Sequence, residues 1–116
     1  MCDAYRNLAE ALKNLEQDGS TLPMAEDEWY TRPDTVSYGI VSLESEADAL
    51  AAGDRKRDIS YEGSVDLFSL VRGGAGWVEM ITEALETWCG PCWSLNSHTY
   101  ERGTSLFHWE WTFEVC

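Results

Sequence analysis

The stretch Leu106-Phe107-His108-Trp109-Glu110-Trp111-Thr112-Phe113-Glu114-Val115 decides the fold. Successive side chains of a strand point to opposite faces, so Phe107, Trp109, Trp111, Phe113 and Val115 share one face and His108, Glu110, Thr112 and Glu114 the other. An apolar face this continuous needs another layer to cover it. Upstream, Glu101-Arg102-Gly103-Thr104 reads as a turn and residues 93–100 as a strand, which makes a hairpin. In that strand Trp93, Leu95, Ser97 and Thr99 alternate with Ser94, Asn96, His98 and Tyr100. The aromatic face of the hairpin is expected beneath helices, as core packing and not as a ligand cage.

The covering helices are legible as apolar stripes at helical spacing. Trp77, Ile81, Ala84, Leu85 and Trp88 mark a helix over about residues 75–88, entered from Gly73-Gly74-Ala75-Gly76. A glycine-rich loop before a helix can cradle phosphate, but the P-loop Lys and Ser/Thr and the dinucleotide-binding spacing are missing, so a tight strand-to-helix turn is expected. Tyr5, Leu8, Ala9, Leu12 and Leu15 mark a second helix over residues 4–17, with Asp3 as N-cap and Gly19 as its stop.

Between the helices, residues 57–71 alternate as a long strand. Ile59, Tyr61, Val65, Leu67 and Val71 lie on one face; Asp58, Ser60, Glu62, Ser64 and Asp66 lie on the other. Phe68 and Leu70 imply that the far end of this second face is covered, and Gly63 suggests a bulge. Residues 35–43 read as a strand with Val36, Tyr38 and Ile40 on one face. Residues 44–53, acidic and Ala-rich, suit a short helix or an excursion. Residues 20–34, which contain Pro23 and Pro33, read as an extended connection with room for a short irregular strand. The sum is one domain over residues 1–116. It is expected to be α+β, in the order α-β-β-α-β-β, with a four-stranded, mainly antiparallel sheet and two helices packed on one face.

Composition narrows the function. The 116 residues include 21 acidic and eight basic side chains, a net charge of -13, and 44% apolar residues with six Trp. That is enough for one core, which argues against disorder. No apolar run approaches the ~20 residues of a membrane helix, and the acidic start does not read as a leader, so a soluble cytoplasmic chain is expected. Ordinary nucleic-acid binding is disfavoured, because phosphates need Lys and Arg to displace their counterions. Arg55-Lys56-Arg57 is the one basic cluster, and beside Asp54 and Asp58 it reads as a solvated turn. Trp29 and Tyr30, next to Glu26, Asp27 and Glu28, either anchor a partner or close over the domain's own core. Asp58, Glu62 and Asp66 recur every four residues, ~13 Å apart on a strand. They are too widely spaced to share one substrate atom and read as an acidic interaction surface or a solvated one.

Trp88-Cys89-Gly90-Pro91-Cys92 spells the thioredoxin redox site. An activated CxxC thiol needs a helix that begins at the first Cys, whose N-terminal dipole stabilises the thiolate. Here the helical stripe precedes the motif, which places Cys89 at a helix C-terminus. No proline follows the motif to supply the cis-proline of that fold. A helix-to-strand turn is the simpler expectation. Zinc held by Cys89, Cys92, Cys116 and either His98 or His108 would need a second closely spaced ligand pair, and none is present. His98 and His108 lie on the two strands of one hairpin and are candidates for proximity. With no nucleophile elbow, HExxH or carboxylate–His metal spacing, the chain is expected not to be an enzyme and to need no cofactor.

Tyr38-Gly39-Ile40-Val41 leads through an acidic excursion to Tyr61-Glu62-Gly63-Ser64-Val65-Asp66-Leu67-Phe68, then to a glycine-containing helix and an aromatic hairpin. In element order and length, over most of residues 1–116, the chain resembles the tail-terminator (tail-completion) proteins of long, non-contractile-tailed bacteriophages, a class that includes minor capsid and neck proteins. The WCGPC turn departs from the family pattern but falls between elements. The resemblance implies a structural virion protein, assembled in the host cytoplasm into a ring that is usually a hexamer. Such a ring sits on the last tail-tube ring, stops tube polymerisation and docks to the head-side connector, while DNA passes through without specific binding. It implies no catalytic residue, metal or membrane. By position, Asp58, Glu62 and Asp66 become candidates for the lumen or a ring interface, and residues 44–57 a candidate docking loop. The alternatives are another head–tail connector, an acidic partner-binding module, or a thiol oxidoreductase using Cys89 and Cys92.

Overall fold

The first helix, α1 (Asp3–Lys13), ends four residues before its expected limit, because Asp18-Gly19 closes a small hairpin. Both turn residues have positive φ, 50° and 84°, as the tight hairpin turn between β1 (Glu16–Gln17) and β2 (Ser20–Thr21) requires. Gly19 therefore serves a strand pair and not a helix stop. The computed structural model describes residues 3–29, 31, 33–47 and 60–115. Its remaining elements are β3 (Met24–Glu26), β4 (Ser37–Ala47), β5 (Ser60–Ser69), a 3-10 turn at Gly74–Gly76, α2 (Trp77–Cys89), β6 (Trp93–Glu101) and β7 (Leu106–Val115). Neither helix is long and apolar enough to cross a membrane.

The main sheet has five strands in the order β3-β4-β5-β7-β6 and is mixed: β3 runs parallel to β4 and the other neighbours are antiparallel. This overturns the expected four-stranded, mainly antiparallel sheet and the α-β-β-α-β-β order. Three strands, β1 to β3, lie in what read as helix end and connection. They are two or three residues long, too short to show a period. The Pro23 carbonyl accepts the Gly39 N–H at 2.8 Å, which aligns β3 in parallel register, Met24 beside Gly39.

One face of the sheet carries the core. Val41, Val65, Leu67, Trp109, Trp111, Phe113 and Val115 meet Tyr5, Leu8 and Leu12 of α1 and Trp77, Ile81 and Leu85 of α2. Leu8, Leu12, Leu67, Ile81, Leu85 and Trp111 are fully buried, each aliphatic side chain stabilising the fold by ~1.5–3 kcal/mol. α1 packs towards β3 and β4, and α2 towards β7 and β6. Gly63 marks a close approach: a Cβ there would fall 2.4 Å from Phe113 Cζ and 2.4 Å from the Ser42 carbonyl oxygen. The bulge lies across from it, on β4 between Leu43 and Ser45.

The packing places the faces of one strand and changes what was expected of two others. On β4 the core-facing residues are Val41 and half-buried Leu43; Tyr38 turns to the other face and Val36, before the strand, is exposed. The strand runs on to Ala47, where the acidic composition suggested a helix or excursion. β5 stops at Ser69, whose hydroxyl is buried against Ser37 Oγ at 2.8 Å, so Leu70 and Val71 are exposed. On β6 a bulge between Leu95 and Ser97 reverses the alternation. Trp93, Leu95, His98 and Tyr100 then register with Phe113, Trp111, Trp109 and Phe107 on the core side, where strict alternation put His98 and Tyr100 opposite.

Candidate interaction face

Among the described residues no helix lies over the second face of the sheet. It is built from the outward positions of β4, β5, β7 and β6, and its character follows from their register. Glu62 stands directly across from Glu114, and Asp66 directly across from Glu110. Like charges opposite one another across a strand pair weaken it. Two such pairs, with only the Ser64/Thr112 row between them, are therefore a burden on the fold, and burdens of this kind gather at functional surfaces. Glu62 and Glu114 also line one rim of a shallow hollow with Cys92, Ser94 and Thr112.

One imidazole, that of His108, is set among these carboxylates. His108 Nε2 lies 2.7 Å from Asp66 Oδ1 and its Nδ1 lies 3.3 Å from Glu101 Oε2. The hydrogen bond to Asp66 holds the imidazole pKa above its ordinary value, outweighing the opposing effect of partial burial, and the Glu101 carboxylate adds to the rise. The ring stacks on Phe68 at 4.2 Å, Phe68 stacks on Tyr38 at 5.0 Å, and Trp29 meets Tyr38 edge-on at 6.5 Å. The Trp29 indole N–H donates to the Gly39 carbonyl at 3.1 Å. An aromatic row thus crosses the face from β4 to β7, and it is the cover that Phe68 implied. Beside it the Ser64 hydroxyl donates to Glu44 at 3.0 Å, and Asn96 Nδ2 donates to the Thr112 hydroxyl at 3.0 Å.

Of the residues singled out in the sequence, Glu62 and Asp66 do share this face. Asp66 is engaged by His108, so only Glu62 of the two presents an exposed carboxylate. Trp29 closes over the outer aromatic row and not over the helix-side core. Asp58, Tyr30, Arg55, Lys56 and Arg57 lie outside the described residues, as does the greater part of the 44–57 segment. His98 and His108 are not neighbours: His98 stacks on Trp109 at 4.4 Å on the core side, while His108 is on the opposite face. Glu110, Glu114 and Glu101 were missed as members of the site. Their period-two placement was visible, but the register that pairs them with β5 residues was not.

WCGPC is the end of a helix. α2 terminates at Cys89, Gly90 follows with φ 59°, and the Cys92 N–H donates to the Cys89 carbonyl at 3.0 Å in the turn into β6. Cys89 is buried and Cys92 exposed. At a helix C-terminus the partial charge is negative and disfavours a thiolate. Among the described residues no group of three His, Cys, Asp or Glu side chains is arranged to hold a metal ion. No protein-family model matches the chain, and no curated protein matches it.

Proposed function

We propose that this chain is a tail-terminator-like subunit of a bacteriophage neck. Copies form a ring, in the family usually a hexamer, at the head-proximal end of the tail tube. The ring ends tube polymerisation and receives the head-side connector. The observation that supports this reading is the sheet face that no described helix covers, with its two directly opposed acid pairs, Glu62/Glu114 and Asp66/Glu110. Such a face repels a polyanion. Turned towards the lumen of a ring, it keeps passing DNA from adhering, since among its described residues sliding phosphates find no Lys or Arg to exchange for counterions. The net charge of -13 points the same way.

The reading is tested by deleting the gene from the phage genome and imaging the lysate. Tubes longer than wild type, and heads without tails, are expected. Tails of normal length joined to heads would overturn it.

A further inference from the structure

The chain also has a long stretch without a charged side chain. Residues 87–100 contain no Asp, Glu, Lys or Arg, fourteen positions in a row and the longest such stretch in a protein with 21 acidic and eight basic side chains. The stretch ends in β6, the outermost strand of the sheet, which pairs with β7 alone among the described strands. Leu95 lies on the core side and the bulge brings His98 and Tyr100 to that side too, but beyond the cover of the helices: Leu95 is 46% and Tyr100 50% exposed. His98 lies on Trp109, and Tyr100 packs against Phe107 at 4.7 Å, so the overhang continues the core's aromatic surface into solvent. Tyr100 and Phe107 line a groove of about 550 Å³ with Leu70, which is 53% exposed, and Arg72. Edge strands of this length are normally guarded by charges, Pro or a bulge; β6 has no Lys or Pro, its one charge is the terminal Glu101, and its guard is the bulge.

We propose that the outer edge of β6 and its overhang form the surface on which a second copy of this chain docks, the subunit contact of the ring; this rests on the ring reading above. Charge selects the occupant. A basic partner would gain most on the acid-paired face and little on an uncharged edge. A copy of the chain brings -13 against -13, and two copies approach with least repulsion where the carboxylates are missing. Arg72 and Arg102, two of the four basic side chains among the described residues, stand at the groove end of β6, where they meet carboxylates of the neighbour. The bulge at Asn96 interrupts the row of edge hydrogen-bonding groups, so Leu95, His98 and Tyr100 carry the contact and a continuous ladder does not. In a closed ring the contact is heterologous, with β6 of one copy facing a different surface of the next.

The test is sedimentation velocity and native mass spectrometry of the full chain, at low salt and in 1 M NaCl. Wild type is expected to assemble beyond a dimer, more readily in salt because screening weakens the like-charge repulsion. The double variant Leu95→Glu/Tyr100→Glu, placed at half-exposed sites, should stay monomeric to at least tenfold higher concentration. Leu95→Ser/Tyr100→Ser, a milder change that keeps the strand uncharged, should shift assembly in the same direction; circular dichroism checks that both retain the fold. Folded variants that assemble like wild type would overturn the β6 contact and leave the ring reading standing. A species that stops at a dimer and is lost in the variants would support the β6 contact and overturn the ring. Wild type that stays monomeric at every salt would overturn both.

Discussion

His108 and Asp66 lie diagonally across the β5–β7 ladder with Nε2 2.7 Å from Oδ1, which places one imidazole among the carboxylates of the open sheet face. The pair ties the end of the β6–β7 hairpin, through Glu101, to the centre of the sheet.

This pair makes stability depend on pH with a definite sign. The folded-state pKa of His108 is raised, chiefly by the hydrogen bond to Asp66. Its contribution is fully present below about pH 6.5, the ordinary imidazole value, and is lost as pH rises through the raised one. The Tm difference between wild type and His108→Gln should be largest in mild acid and shrink towards alkaline pH. Glu26, whose pKa is lowered mainly by its hydrogen bond to Lys13, acts in the opposite sense. Its contribution disappears only as pH falls through its folded value. Thermal melts of wild type, His108→Gln and Glu26→Gln from pH 2 to 9 check both, and a wild-type-minus-His108→Gln difference that is flat with pH would count against the first.

The opposed carboxylates predict a gain of stability on reversing one of them. Glu62→Lys sets a cation across from Glu114 and should raise Tm at low salt, by the equivalent of a few tenths of a kcal/mol to ~1 kcal/mol. The gain should fade in 0.5 M NaCl, because exposed charges are screened. In the phage, Glu62→Lys/Glu110→Lys should slow genome ejection if the face lines a channel. Ejection at the wild-type rate would separate this face from DNA passage.

Gly63→Ala should be severely destabilising. The new methyl would meet Phe113, and also the Ser42 carbonyl, which belongs to the backbone of the neighbouring strand and cannot swing away. A loss of ~1–3 kcal/mol or more in urea unfolding is expected. Gly103→Ala, in the exposed hairpin turn with nothing within 4 Å of the new Cβ, is the near-neutral control.

Trp111 is fully buried, and its indole N–H has no hydrogen-bond partner among the described residues. Trp111→Ala should cost ~3–5 kcal/mol through the cavity it opens. Trp111→Phe also removes the unsatisfied donor, an offset of ~1–3 kcal/mol, and should therefore be far milder. Equal losses for the two variants in chemical denaturation would contradict this account.

The two thiols of the WCGPC turn should differ in accessibility. Iodoacetamide under native conditions, followed by peptide mapping, should label exposed Cys92 well before buried Cys89. No insulin-reducing activity is expected, because the motif closes a helix and does not open one.

The long elements were legible because each buries a face wide enough to print a period. β7 reads strand over all ten residues and α2 shows its stripe, since Trp111, Ile81 and Leu85 must meet across one core. What escaped the sequence is what depends on pairing. β3 has three residues and is held by backbone bonds to β4, which leave no side-chain signature. Gly19 reads as a helix stop because the helical stripe runs up to Leu15; the strand pair that makes it a hairpin turn is too short to show a period. The site was half legible: Glu62 and Asp66 are visible as an acidic row, yet their partners Glu114 and Glu110 become partners only through register. Asp66 reads as a solvated acid until His108, 42 residues away in sequence, is brought beside it.

The bulge at Asn96 makes the tip of β6 sensitive to insertions and deletions. Removing that single residue would straighten the strand without turning its side chains over: Ser97 would follow Leu95 directly and face outward, and His98 and Tyr100 would keep their side of the sheet. A deletion of three nucleotides could thus turn an interrupted row of edge hydrogen-bonding groups into a continuous one while the aromatic overhang stayed in place. Related chains could acquire or lose partners at this edge by changes in length, without substituting any residue that does the touching.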